Sequence, residues 1–368
     1  MKTLLPILLA LIALLPAKAQ DPVFSQMLLN KNYINPAYAG YTGDISFDLQ
    51  SRVQWLRIPA YFLTNAFSFH GGCNATRLGY SITGMHDMRG EGFLQNTRIN
   101  GAVSVNIPAY SSRRLRPRWL RDKKLIWSTG LNIGVGQRYL NWDRLTFTDQ
   151  YDIYFGFVRP QSLVQPQNVA SNIIIDLSAG TRARMQLGDA GSYASAGFAI
   201  WHLNRPVESF FFTDNRLPMR YTGHAFFHWQ TERYTNSPRY LSIGWIGNYQ
   251  LEMQTNVVMA YRDFGLGYML GAGYRSERIY ALTRRVDSWV FQIHVRQEPF
   301  YLSYSFDLTM SSLGPHRTFG THEFGISYLL KGYNMCTGAF RRSRRKKADC
   351  FYLNDDLYGK LGFTGYHM

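Results

Sequence analysis

The sequence is sparing with residue patterns that perform covalent chemistry. It contains no Gly-x-Ser-x-Gly turn and no His-Glu-x-x-His helix. Gly134-Val135-Gly136 lacks the third glycine of a dinucleotide loop and falls in an alternating, strand-like stretch. His86, His224 and His294 would meet a nucleophile only if neighbouring strands brought one to them, and each reads more simply as an interior or interface histidine. Cys73, Cys336 and Cys350 show no metal-ligand spacing and are too few for a disulfide scaffold. In an oxidising compartment one pair could bridge, with connectivity left open. No catalytic, metal or cofactor site is expected, and the chain does not read as an enzyme.

Binding chemistry is better represented. Arg113, Arg114, Arg116, Arg118, Arg121, Lys123 and Lys124 place seven positive charges in twelve residues, opposed only by Asp122. A second cluster holds Arg341, Arg342, Arg344, Arg345, Lys346 and Lys347. Such clusters attract phosphate or carboxylate-rich surfaces. The segment 138–170 concentrates Trp142, Phe147, Tyr151, Tyr154, Phe155 and Phe157 with few charges, and 203–218 contains Phe210-Phe211-Phe212. Long apolar loops of this kind mark interaction surfaces.

These groups need a scaffold, and composition narrows its class. Of 368 residues, 15% are aromatic and only 17% charged, with 32 glycines and a formal net charge of +16. Such a chain is too apolar for disorder. Its only long apolar run, Leu4–Leu15, excludes a helical membrane bundle. Lys2, that apolar run and Ala17-Lys18-Ala19 before Gln20 read as a secretory signal peptide over 1–19.

Beyond it, apolar and polar residues alternate. Trp289, Phe291, Ile293 and Val295 alternate with Val290, Gln292, His294 and Arg296; Phe324, Ile326, Tyr328 and Leu330 alternate with Glu323, Gly325 and Ser327. A period of two sends successive side chains to opposite faces of a sheet. Strands are expected near 44–52, 60–70, 76–86, 92–106, 124–137, 171–185, 191–202, 219–230, 239–247, 253–262, 266–275, 286–296, 300–309 and 321–331. Fourteen antiparallel strands suit a closed transmembrane β-barrel of the outer-membrane kind. With the N-terminus in the periplasm, long connections such as 138–170 and 203–218 face outside, whereas 71–75, 186–190, 263–265 and 297–299 are short and inside. The segments 107–123 and 231–238 depart from that asymmetry. Asp48, Asp176, Arg296, Asp307 and Glu323 then face the lumen as a polar network. A secreted β-sandwich shows the same alternation, but aromatic residues near strand ends favour the barrel.

Ordered motifs add a resemblance. Gln20-Asp21-Pro22-Val23-Phe24-Ser25-Gln26 and Asn35-Pro36-Ala37-Tyr38-Ala39-Gly40 resemble the start of PorP/SprF proteins, outer-membrane components of the type IX secretion system. Arg52, Gln54 and Trp55 with Ile58-Pro59 look like that family's first outer loop. Asp87, Gly90 and Gly92 look like its Asp and glycines between strands. Gly136-Gln137-Arg138, Leu140, Trp142, Leu145, Phe147 and Asp149-Gln150 are similar to its central block. His202-Leu203-Asn204-Arg205-Pro206, Leu217-Pro218 with His224, and Phe324-Gly325-Ile326-Ser327-Tyr328 follow in order. Asn141 stands where the family has Asp, and the tail after Lys331 has no counterpart.

The resemblance implies export or surface retention of secreted proteins, gliding-type adhesins included, beside periplasmic secretion components. On this reading 1–19 is a signal peptide, 20–43 an N-terminal segment that either plugs the barrel mouth, contacts a partner or merely leads into the first strand, 44–331 the barrel and 332–368 a basic periplasmic tail. Secreted surface proteins would meet the aromatic loops, periplasmic components the basic clusters, and outer-membrane lipid the barrel wall. A signal peptide and membrane strands argue against nucleic acid as a partner. A passive diffusion channel is the rival function.

Overall fold

The computed structural model describes residues 21–59, 62–73, 76–91, 93–108, 125–164, 168–187, 192–210, 213–231, 239–265, 267–279, 285–311, 314–335 and 341–342. The signal-peptide reading over 1–19 lies outside the described residues.

Fourteen long strands close into one barrel. In chain order they are β1 (Ile45–Gln54), β2 (Phe62–Cys73), β3 (Leu78–Arg89), β4 (Leu94–Pro108) and β5 (Leu125–Tyr139). A small hairpin follows, β6 (Tyr151–Asp152) with β7 (Gly156–Phe157). The wall resumes with β8 (Ile174–Leu187), β9 (Ser192–Trp201), β10 (Arg220–Gln230), β11 (Tyr240–Gln250) and β12 (Met253–Asp263). It ends with β13 (Tyr268–Ile279), β14 (Arg285–Gln297), β15 (Phe300–Thr309) and β16 (Thr321–Leu330). Each strand pairs antiparallel with its neighbour, and β1 closes the ring against β16, pairing Ile45 with Leu330 and Gln54 with Thr321. Closure removes the unpaired backbone edges that lipid cannot satisfy. A last short pair, β17 (Tyr333–Asn334) and β18 (Arg341–Arg342), lies beyond the wall.

Alternation decides which face meets which solvent. In β5, Leu131 is 67% exposed on the outer face while Ser128 is 1% exposed on the inner one. The same segregation puts Ile82, Ile99, Ile133, Phe291 and Ile326 outside and Asp48, Asp176, His294, Asp307 and Glu323 inside. An apolar outer wall around a polar interior is what a lipid-embedded barrel requires. Among the described residues no helix is long and apolar enough to cross a membrane.

Several strands run further than the alternation indicates. Residues 248–252 read as a connection, but β11 continues to Gln250 and the turn to β12 is only Leu251 and Glu252, with Leu251 at φ 56°. Arg52 and Gln54, which the resemblance places in an outer loop, belong to β1, and Asp87 belongs to β3; Arg52 and Asp87 point into the lumen.

The lumen is filled by the chain's own N-terminal segment. Residues 21–44 lie inside the wall, and Ser25, Lys31, Asn35, Tyr38 and Ala39 are 0% exposed. Met27, Leu28, Leu29, Ile34, Tyr38 and Tyr41 form one apolar core with inward Phe226, Ile246, Val257, Met259, Tyr261, Val290 and Tyr301. The apolar part of the plug therefore packs along the β10–β15 side of the barrel.

Candidate functional site

The plug has a direction. Its inner end joins β1 at Ile45, at the end of the barrel where β16 finishes. Asp21 sits at the other end, beside Arg98 near the start of β4, Arg220 at the start of β10 and His202 just past β9. The segment thus threads the lumen, with its N-terminal tip not at the end where β1 starts, as a periplasmic N-terminus would require, but at the mouth that carries the connections 140–173 and 202–219.

Two polar clamps and a set of glycines hold it. Near the start of β16, Glu323 accepts the backbone N–H groups of Ser25 and Gln26, each at 3.0 Å, and Gln26 Nε2 donates to the Glu323 carbonyl at 2.8 Å. Gln292 donates to the Ser25 carbonyl at 2.9 Å, and Ser303 donates to Gln26 Oε1 at 2.6 Å. Arg52 bridges Glu323 at 2.8 Å and Asp307 at 3.1 Å, and Arg275 pairs with Asp307 at 2.7 Å. Every charge in this clamp has an opposite partner, the condition for tolerating charge in a buried site.

At the mouth, burial works against the charge on Asp21, but His202, Arg98 and Arg220 outweigh it and hold the carboxyl well below the usual carboxylate range. His202 lies between two carboxylates, Nε2 at 2.8 Å from Asp21 and Nδ1 at 2.9 Å from Asp176. Burial disfavours its imidazolium, yet those two carboxylates prevail and raise its pKa above the ordinary histidine value.

The Asn35–Gly40 motif shapes the lower plug. Asn35 Oδ1 caps the turn Pro36–Tyr38 through the Ala37 N–H at 2.8 Å, and its amide donates to Thr181 O at 3.0 Å and Phe198 O at 3.2 Å. Gly40 takes φ +64°, and a Cβ there would fall 2.4 Å from Gly71 O. Wall glycines admit the plug in the same way: a Cβ on Gly130 would lie 2.4 Å from the Pro36 carbonyl, and one on Gly180 would lie 2.1 Å from Asn35 Oδ1. Side chains are missing from the wall where the plug's backbone passes.

The long connections form the second part of the site. Trp142 and Phe147 stack on each other with ring centroids 4.7 Å apart, and Trp142 Nε1 donates to Val164 O at 3.2 Å. Both are half-buried and order the loop. The Leu163 N–H, at 2.7 Å, and the Ser162 hydroxyl bind Asp149 and hold its carboxyl below the ordinary value. The hairpin tip between β6 and β7 is different: Ile153, Tyr154 and Phe155 are 95%, 89% and 83% exposed. Phe210 is half-buried and its carbonyl accepts from Asn168 Nδ2 at 3.0 Å. Phe211 lies outside the described residues.

At the opposite end, Cys73 is disulfide-bonded. Cys336 and Cys350 lie outside the described residues, as do Arg113, Arg114, Arg116, Arg118, Arg344 and Arg345. The backbones of Arg341 and Arg342 pair with Asn334 and Tyr333. Of the histidines considered for chemistry, His224 contacts the plug through Asn35 at 3.1 Å, His294 meets Tyr301 OH at 2.7 Å, and His86 meets Thr97 at 2.9 Å. Arg296 pairs with Asp263 at 3.1 Å. Sequence reading missed the clamp roles of Arg52, Arg98, Arg220, Arg275 and His202; glycines at inward strand positions were the available signal.

A closed antiparallel barrel with an apolar wall and a lumen filled by its own N-terminus is a membrane barrel of the outer-membrane class. The chain belongs to the PorP/SprF family of type IX secretion system membrane proteins, whose family model matches residues 17–328, and its location is the outer membrane. No curated protein matches it by sequence. Similar solved structures include CdiB from Acinetobacter baumannii, 9% identical with a TM-score of 0.43 over 77% of this chain; this chain spans only 60% of that one. The Ralstonia pickettii toluene transporter TbuX is 11% identical with a TM-score of 0.41 over 87% of this chain and 94% of that one. The P. putida toluene transporter TodX is 10% identical with a TM-score of 0.37 over 83% and 94%.

Proposed function

We propose that the protein acts as a sealed barrel that supports export or cell-surface retention of secreted proteins, adhesins among them, by non-covalent binding. The carrying observation is the division of labour between lumen and mouth. Residues 21–44 occupy the interior, while Ile153, Tyr154 and Phe155 project from the mouth with their apolar surface uncovered. Exposed aromatic side chains on an ordered hairpin suit a protein contact, because burying them releases apolar surface from water. The mouth that carries them is read as the outer one because long connections gather there.

The basic clusters at 113–124 and 341–347 would meet acidic periplasmic components of the secretion machinery, an attraction that salt weakens. A passive diffusion channel is the competing reading, and a lumen packed around Tyr38, Met27 and Leu29 counts against it. The test is affinity purification from mild-detergent membranes with mass spectrometry of co-eluting proteins, wild type against Tyr154→Ser/Phe155→Ser. Secreted proteins recovered with wild type and lost with the variant support the reading. Equal recovery from both would remove the hairpin from it.

A further inference from the structure

The plug tip and the two long connections share one buried ion network. Arg138, at the end of β5 where the longer connection begins, pairs with Glu208 of the 202–219 connection at 2.7 Å, and Arg98 reaches Glu208 at 3.8 Å and Asp21 at 3.2 Å. The connections also bind each other directly: Asn172 donates to Val207 O at 2.7 Å and accepts the Ser209 N–H at 2.9 Å. His202 opens the shorter connection and bonds to Asp21 of the plug and Asp176 of β8. The groups facing this histidine and its partners are Asp21 and Tyr33 of the plug, Arg98 of β4, Arg138 of β5, Asp176 of β8, Arg220 of β10 and Glu208.

A neutral imidazole carries one N–H, so it can satisfy only one of two carboxylates; both ring nitrogens donate only in the imidazolium. Asp176 depends on that second N–H, for its other oxygen, Oδ1, is buried without a partner among the described residues. Removing the proton leaves either Asp176 or this arm of Asp21 facing a lone pair in a buried site.

We propose that protonated His202 is a latch tying the plug tip to both mouth connections, and that its deprotonation loosens tip and connections together. The proposal rests on the reading of the mouth as the binding face for its biological meaning, though not for its test. The sign follows from linkage. His202 has its pKa raised in the folded protein, so the stabilisation is complete below the unfolded value and is lost as pH rises through the folded one.

The experiment is hydrogen exchange with mass spectrometry on the mature chain in lipid nanodiscs, from about pH 6 to about pH 9, a range that brackets histidine titration. The exposed 153–155 tip corrects for the intrinsic pH dependence of exchange. Protection at 21–24 and at 203–210 should fall in step by about tenfold or more, while 35–39 stays protected. His202→Gln should show the loosened level at every pH. Should that variant not fold, Asp176→Asn, which removes the dependent carboxylate, should flatten the wild-type pH response. Flat protection in the wild type, or a change at 21–24 without one at 203–210, overturns the latch. Because no cargo is present, these outcomes are independent of whether secreted proteins bind the hairpin.

Discussion

The backbone N–H of Ser25 donates to Glu323 at 3.0 Å, although 298 residues separate the two in sequence. One carboxylate near the C-terminal end of the barrel wall thereby fixes a segment that precedes the first strand. Because Glu323 also pairs with Arg52 on the closing neighbour β1, plug seating and ring closure use the same side chain.

Glu323→Ala removes the acceptor for two plug N–H groups and leaves Arg52 with one carboxylate, Asp307, beside its bond to Ser25 Oγ. Loss of one member of a buried pair costs about 3–5 kcal/mol. Urea titration of the folded barrel in vesicles, followed by its heat-modifiable gel band, should show a lowered midpoint. An unchanged midpoint would mean that the clamp contributes nothing to the fold.

Wall glycines give a steric test of the threaded path. Gly130→Val places carbon where the Pro36 carbonyl lies and should destabilise the barrel by about 1–3 kcal/mol through overpacking. Gly101→Ala is the control, since nothing lies within 4 Å of a Cβ there. Equal stability of the two variants would contradict the plug's position beside β5.

The aromatic loop residues should separate into two groups. Tyr154→Ser and Phe155→Ser change stability by no more than about 0.5 kcal/mol, as exposed positions do, while reducing recovery of secreted partners. Trp142→Ala breaks the stack on Phe147 and should raise proteolytic cleavage across 142–164 in the isolated barrel. Cleavage unaffected by Trp142→Ala would show that the stack does not order the loop.

The disulfide can be assigned chemically. The Met335 N–H donates to Gly72 O at 3.1 Å, which brings the chain immediately before Cys336 against the strand end that carries Cys73. Non-reducing peptide mapping should therefore recover Cys73 linked to Cys336. A Cys73–Cys350 peptide would assign the bridge differently.

Strand number and facing were legible because lipid outside and polar groups inside impose a strict two-residue period, as in β14 from Trp289 to Arg296. Strand ends were less legible where both faces turn polar: Asn248-Tyr249-Gln250 reads as a loop yet remains paired to β12. The plug was only one alternative for 20–43, since that segment meets strands all round the barrel and shows no period. Its anchors Arg98, Arg220 and Arg275 carry no motif of their own, and pairing of the clamp arginines with Asp21 and Ser25 emerges only when the ring closes. The resemblance to PorP/SprF proteins reached the family through ordered motifs. The structure then gives Asn35-Pro36 and Gly40 a steric role at Gly180, Gly71 and Gly79.

The central claim is that the chain's own residues 21–44 occlude the barrel. Single-channel recording of the purified wild-type protein in planar bilayers tests it most directly. The account predicts no steady conductance above the bare membrane. A stable, long-lived open level in the wild-type protein would contradict it and favour a diffusion channel.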